Sequence, residues 1–270
     1  MMKRTIGAAA LVFLFALWLL PLFWLIITSL KAEQDVMTDH LALFSVAPSF
    51  VNYAKAFGGT DILKWFKNSV IVASCATLFT LFLNSTMAYV LSRIKFRGRN
   101  SLLLFILAGM MVPFEVIIIQ LYLEFNALGI LNTLAAVILP RLALPIGVFI
   151  LTQFFKGIPE ALEEAAFMDG ASRFLIFRAI ILPLGKSALF VVAILSFVNA
   201  WNDFLWPLVS ISDSAKYTIT VGIANFQGTH GTEYALIMAG AVIASIPLIV
   251  MYFIFKKNIV KGIAMTGIKG

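Results

Sequence analysis

The sequence predicts an all-α, polytopic membrane protein: six transmembrane helices, with the N-terminus and C-terminus both on the cytoplasmic side. Three observations carry that prediction. Charged residues are 12% of the chain and hydrophobic ones 61%, whereas soluble domains carry about 25% charged residues. Six stretches are near the ~20 apolar residues needed to cross a hydrocarbon core. The basic residues concentrate in alternate segments between those stretches. With a mean hydropathy of +1.00, residues 1–270 read as a single transmembrane domain.

The spans fall in order at about 8–29, 68–91, 102–123, 134–155, 187–209 and 234–255. The first follows Met-Met-Lys-Arg, which could open a signal peptide. The uncharged run from Thr5 to Leu30 exceeds the usual apolar region of about 7–15 residues, and no small-residue cleavage site follows. It is therefore read as a retained span. The outer loop from Lys31 to Lys67 is too polar for burial and too short for a domain. It holds His40, and a second outer loop holds His230. Neither has a metal-ligand cluster around it, and both read as solvated. The one cysteine, Cys75, excludes an internal disulfide and reads as packing. Trp65, Trp201 and Trp206 fall near outer span edges and read as interfacial anchors.

Charge sets the orientation. With the N-terminus inside, the cytoplasmic segments hold fourteen of the twenty basic residues. These include Arg93, Lys95, Arg97 and Arg99 after the second span and Lys156, Arg173, Arg178 and Lys186 after the fourth. The net charge of +7 is then the positive-inside bias rather than a nucleic-acid footprint.

The segment 156–186 between spans four and five contains GIPEALEEAAFMDGASRFLIFRAIILPL. Pro159 suits the first turn of a helix. Glu160, Glu163 and Glu164 then lie near the positive helix end. Gly170 suits the left-handed residue that ends a helix, and Ser172 can cap a second one that runs to Pro183. Ala161, Ala165 and Met168 share a face at helical spacing. So short a helix is marginal alone. It is either a docking element or a solvated connector.

The spacing of Glu164-Ala165-Ala166, Gly170, Ile180 and Leu182-Pro183 resembles the EAA signature of ABC importer permeases. The resemblance implies a coupling helix seated in a groove of an ATPase subunit. Glu160, Glu163, Glu164, Ala165, Ala166, Asp169 and Gly170 would be its docking residues. Further segments are similar to the carbohydrate-uptake branch, the MalG-like subunits of maltose transporters. They are Thr28-Ser29-Leu30-Lys31, Pro48 to Tyr53 with Ala56-Phe57, Trp201-Asn202-Asp203-Phe204-Leu205-Trp206-Pro207-Leu208, and the tail Gly262 to Gly270. The tail is a variant in its middle, at Ala264-Met265-Thr266. Three glycines in nine residues argue against a stable helix there. In such subunits the tail reaches the ATPase interface, which would engage Gly267, Lys269 and Gly270.

No G-x-x-x-x-G-K-[ST] occurs, so the chain is not expected to hydrolyse ATP or to bind a cofactor. The resemblance implies a second homologous permease, two copies of an ABC ATPase that carry ATP and Mg, an extracytoplasmic solute-binding protein, and surrounding lipid, with no nucleic acid. A prokaryotic inner membrane follows.

Glu115, Arg141 and Asp203 lie inside predicted spans, where ionisable residues are costly and point to function. Glu115 and Arg141 come at similar depth on antiparallel spans, so they are expected to pair or to face one aqueous cavity. Asp203 sits with Asn202 near the outer interface and can meet solute, binding protein or water. Asn84 and Asn199 either line a path or join helices. Intramembrane enzymes are disfavoured: both histidines are in loops and no G-x-S-x-G occurs. A secondary transporter would need no docking loop. An importer for an anionic solute such as glycerol 3-phosphate remains open through Arg141.

Overall fold

Proline and glycine decide where the helices of this chain break. The computed structural model describes residues 2–36, 48–228 and 231–267. The helices are α1 (Met2–Ser29), α2 (Val51–Gly59), α3 (Ile62–Arg93), α4 (Arg99–Ala108), α5 (Phe114–Ala127), α6 (Leu134–Ile138), α7 (Pro145–Lys156), α8 (Ala161–Met168), α9 (Arg173–Ile176), α10 (Leu182–Leu184), α11 (Lys186–Trp201), α12 (Leu205–Ser210), α13 (Ile219–Ala224) and α14 (Tyr234–Gly267). Among the described residues the extended structure is a two-residue antiparallel ladder, Gln227–Gly228 with Gly231–Thr232.

Among the described residues, three helices are long and apolar enough to cross a membrane: Leu11–Ser29, Ile62–Arg93 and Tyr234–Lys256. Three further pairs qualify when each bent pair is taken as one span, giving six. They bend by 94° between Arg99–Met111 and Phe114–Ala127, by 44° between Leu134–Leu142 and Pro145–Lys156, and by 79° between Arg173–Leu184 and Lys186–Trp201. Pro113 and Pro145 mark the first two bends. Each lacks an N–H and forces its predecessor out of helical geometry: Val112 is extended and Leu144 has φ −125°. Gly185 marks the third. A Cβ there would stand 2.7 Å from the Phe155 ring, so only glycine permits this close approach. Just upstream, the helix widens to π geometry over Phe177–Ile181, before Pro183 withholds its N–H.

The residues group into two units. In one, residues up to Phe66 with Thr218–Pro247, the Asn52 amide donates to the Ser29 and Lys31 carbonyls at 2.9 and 2.7 Å, closing the end of α1. The Glu33 carboxylate accepts the first two N–H groups of α14, from Tyr234 and Ala235, at 2.7 and 2.9 Å. Gly222 lies flat against the Trp65 ring, where any side chain would collide.

The other unit, Lys67–Tyr217 with the residues from Leu248 onward, has apolar clusters of its own. Leu151, Phe155, Ile176, Ile181 and Val192 form one cluster, and Phe125, Ala136 and Trp206 another. Asn84 donates to the Leu144 carbonyl at 2.9 Å, beside Gly147, where a Cβ would strike the same amide. Asn84 therefore joins α3 to the start of α7.

Two expectations are corrected. Trp65, Trp201 and Trp206 are 6%, 2% and 0% exposed and are packed inside the chain rather than laid at its edge. Trp206 donates to the Ala136 carbonyl at 2.8 Å. The tail glycines do not stop the last helix, since α14 runs through Gly262 to Gly267. Each glycine costs about 1 kcal/mol, but a helix already nucleated over many turns tolerates that locally. Lys269, Gly270, His40 and His230 lie outside the described residues.

Candidate functional site

Local chemistry shapes the loop between α7 and α9. α8 starts at Ala161, two residues later than Pro159 suggests, with Glu160 at the N-cap. It ends on Gly170 at φ +82°, the left-handed position where glycine avoids the Cβ penalty. The Ala171 N–H bonds the Ala166 carbonyl at 2.9 Å and the Gly170 N–H bonds the Phe167 carbonyl at 3.0 Å, which is the Schellman closure. The Ser172 hydroxyl then accepts the Leu175 N–H at 3.3 Å and caps α9. Glycine and serine thus fix the turn between the two arms, as the sequence indicates.

α8 has an inner and an outer face. Glu163 is buried and Ala166 packs toward the core. Ala161, Leu162, Glu164, Ala165, Met168, Asp169 and Gly170 are exposed, with Met168 at 88%. The Ala161–Ala165–Met168 face therefore points outward, backed on the second arm by exposed Phe174 and Leu175. Glu163, grouped in the sequence with the docking acids, instead turns inward to Arg93.

Arg93, the last residue of α3, holds this arrangement. Its side chain is 4% exposed. Nη2 donates to the Phe155 and Ile158 carbonyls at 2.7 and 2.6 Å where the chain leaves α7, and the Phe155 carbonyl also accepts the Ile158 N–H at 3.1 Å. Nε stands 2.7 Å from Glu163 Oε1, and the exposed Glu160 carboxylate is 3.8 Å from Nη1. Burial pushes the Glu163 carboxyl up from its ordinary range, and Arg93 pulls against that shift without cancelling it. The sequence reading counted Arg93 only as an orientation charge. A finer signal was present: Tyr89 and Arg93 lie one helical turn apart at the end of an apolar helix, and Tyr89 reaches the other arm through the Phe177 ring at 5.1 Å and the Arg173 carbonyl at 3.4 Å.

A second ion pair joins the helix breaks. Arg141, in the short turn Leu139–Leu142, sets Nε and Nη2 against Asp203 Oδ2 at 2.7 and 2.6 Å. Its guanidinium lies 4.6 Å from the centre of the Phe114 ring. Asp203 also accepts the backbone N–H groups of Phe204 and Trp206, near the start of α12. The expected Glu115–Arg141 pair does not form. Glu115 is exposed, and the bend at Pro113 brings Phe114, not Glu115, over the arginine. Asp203, at 5% side-chain exposure, is a buried counter-ion rather than a hydrated interfacial acid. Asn199 and Asn202 are exposed on the chain surface. Among the described residues no three His, Cys, Asp or Glu side chains gather into a metal-holding set.

Residues 82–265 match the family model for the binding-protein-dependent transport system inner membrane component. The chain belongs to that family. This permease is similar to the arabinooligosaccharides transport system permease protein AraQ of Bacillus subtilis, at 35% identity over 94% of this chain and 92% of that one. It is similar to the trehalose/maltose transport system permease protein MalG of Thermococcus litoralis, at 35% identity over 100% of this chain and 98% of that one. Its fold is shared with a crystal structure of a bacterial ABC transporter for the acidic polysaccharide alginate, at a TM-score of 0.81 and 22% identity over 94% and 95% of the two chains. The resemblance read from residues 164–183 is borne out. The permease is a membrane transport subunit and not an enzyme; ATP hydrolysis belongs to a separate subunit.

Proposed function

We propose that this permease forms half of the translocation path of an ATP-driven importer for a sugar or oligosaccharide delivered by an extracytoplasmic binding protein. It crosses a prokaryotic inner membrane six times, with both ends in the cytoplasm. It works with a second homologous permease and two copies of an ABC ATPase, which carry the ATP and Mg; the chain itself binds no cofactor. The observation that carries this reading is α8, a short helix whose small and apolar face is turned outward and whose back is anchored through Glu163. A helix this short needs a second surface, and an outward patch of Ala161, Leu162, Ala165 and Met168 fits a groove better than water. The names of the relatives support a carbohydrate cargo.

The anionic alternative loses its main support. It needed Arg141 free to meet a negative solute, and Asp203 already occupies that guanidinium.

Glu164→Lys and Gly170→Asp test the docking role. Both are expected to lose ATPase subunits on purification or to hydrolyse ATP without uptake. Wild-type complex recovery and uptake in both variants would refute it.

A further inference from the structure

α3 finishes with two side chains, one turn apart, that grip the two arms of the docking loop. Tyr89 takes the α9 arm. Arg93 takes the α8 arm and the end of α7 together. The neighbouring cations Lys95 and Arg97 are exposed, as residues serving only to orient a chain can be. Arg93 is different: its fork is buried, donating to two carbonyls at the end of α7 and forming an ion pair with Glu163 on α8.

We infer that Arg93 is a positioning residue for energy coupling, seating α8 against the ends of α3 and α7 so that displacement of α8 moves both helices. This rests on the reading of α8 as the ATPase-docking helix. The geometry supports transmission as well as stability. Both hydrogen-bond acceptors are backbone carbonyls, Phe155 and Ile158, so Arg93 holds the main chain where the chain leaves α7. The ion-pair partner, Glu163, is on the inner face of α8, one residue before the outward-facing Glu164. A force on the outer face of α8 therefore reaches Arg93 through a rigid turn of helix. Lysine would carry the same charge but lacks the planar fork that meets two carbonyls with one nitrogen while facing a carboxylate with another.

The test uses the complete transporter in proteoliposomes with its cognate binding protein. ATP hydrolysis is measured alongside uptake of a mixture of radiolabelled maltose, trehalose and arabinotriose. For Arg93→Lys, complex recovery is expected within about twofold of wild type, while uptake per ATP hydrolysed falls about tenfold. Glu163→Gln is expected to fall about threefold, and the double variant to be no worse than Arg93→Lys, because the two act as a unit. Arg93→Met with Glu163→Met removes both charges and leaves neither buried alone. It is expected to assemble with uptake per ATP as low as in Arg93→Lys, and it decides the matter if Arg93→Lys fails to assemble. A wild-type ratio in either variant, or additive losses from Arg93→Lys and Glu163→Gln, overturns the inference. The docking role has its own control. Loss in Gly170→Asp with a wild-type ratio in Arg93→Lys leaves docking intact and removes Arg93 from coupling. Loss in Arg93→Lys with wild-type behaviour in Glu164→Lys and Gly170→Asp removes docking, and the inference with it.

Discussion

Arg93 and Arg141 both sit against a carboxylate, but their surroundings divide the burden differently. Arg93 donates to two main-chain carbonyls and has Glu163 beside it as an ion-pair partner. Arg141 directs both Nε and Nη2 at one oxygen of Asp203 and otherwise lies over the Phe114 ring. The first arginine is held mainly by backbone, the second mainly by its counter-ion. Where the main chain provides acceptors, a buried cation depends less on the acid beside it. Where it does not, the acid is indispensable.

The sharpest test of that difference is Asp203→Ala. It leaves Arg141 without its counter-ion inside the membrane domain and is expected to cost about 3–5 kcal/mol, read as loss of recoverable complex in mild detergent. Pairing Asp203→Leu with Arg141→Met should restore most of the recovery. If Asp203→Ala alone assembled normally, the dependence of Arg141 on its acid would be disproved.

Glu163→Ala should be milder, about 1–2 kcal/mol, because Phe155 and Ile158 still accept from Arg93. Thermal unfolding of the purified complex measures it. A loss equal to that of Asp203→Ala would erase the distinction between the two sites.

Gly170→Ala probes the turn that aims the first site. At φ +82° a Cβ costs about 1 kcal/mol. Beyond its two chain neighbours no atom lies within 4 Å of the position that Cβ would occupy, so backbone strain sets the effect. The Glu163→Ala and Gly170→Ala losses should combine non-additively if Arg93 and the turn jointly seat α8.

The smallest effect is a pH dependence. Burial raises the Glu163 carboxyl above its ordinary value of 4.5, so between those two values the folded loop binds more protons than the unfolded chain. The stabilisation from this group is present at low pH and fades as pH rises through the raised pKa. Hydrogen exchange at the α8 amides should slow as pH falls through that window, after correction for intrinsic rates. The extra slowing should vanish in Glu163→Gln.

The loop's turn was legible because its signals are local. A glycine that must go left-handed and a serine that must cap are properties of single positions, and the spacing from Glu164 to Pro183 fixes their order. Pairing across spans was not legible. Depth along a helix places Glu115 and Arg141 at one level but says nothing of the direction each side chain faces, and the 94° bend sends Glu115 to the surface. Asp203 was hidden for a similar reason: the chain breaks at Asn202–Phe204 inside what reads as one apolar run, and that break brings the acid inward. The tryptophans mislead because interfacial and core positions draw on the same residue, and only packing separates them. Arg93 was obscured by a sufficient competing reason to be basic, the orientation of the chain.

α3 runs 32 residues without a proline and ends on Arg93. At 1.5 Å of rise per residue it is about 48 Å long, stiff enough to act as a lever. A tilt of about 5° about its midpoint swings the Arg93 end through about 2 Å. That is comparable to the length of a hydrogen bond's reach, so a helix rotation too slight to alter its packing elsewhere is enough to make or break the grip on α8.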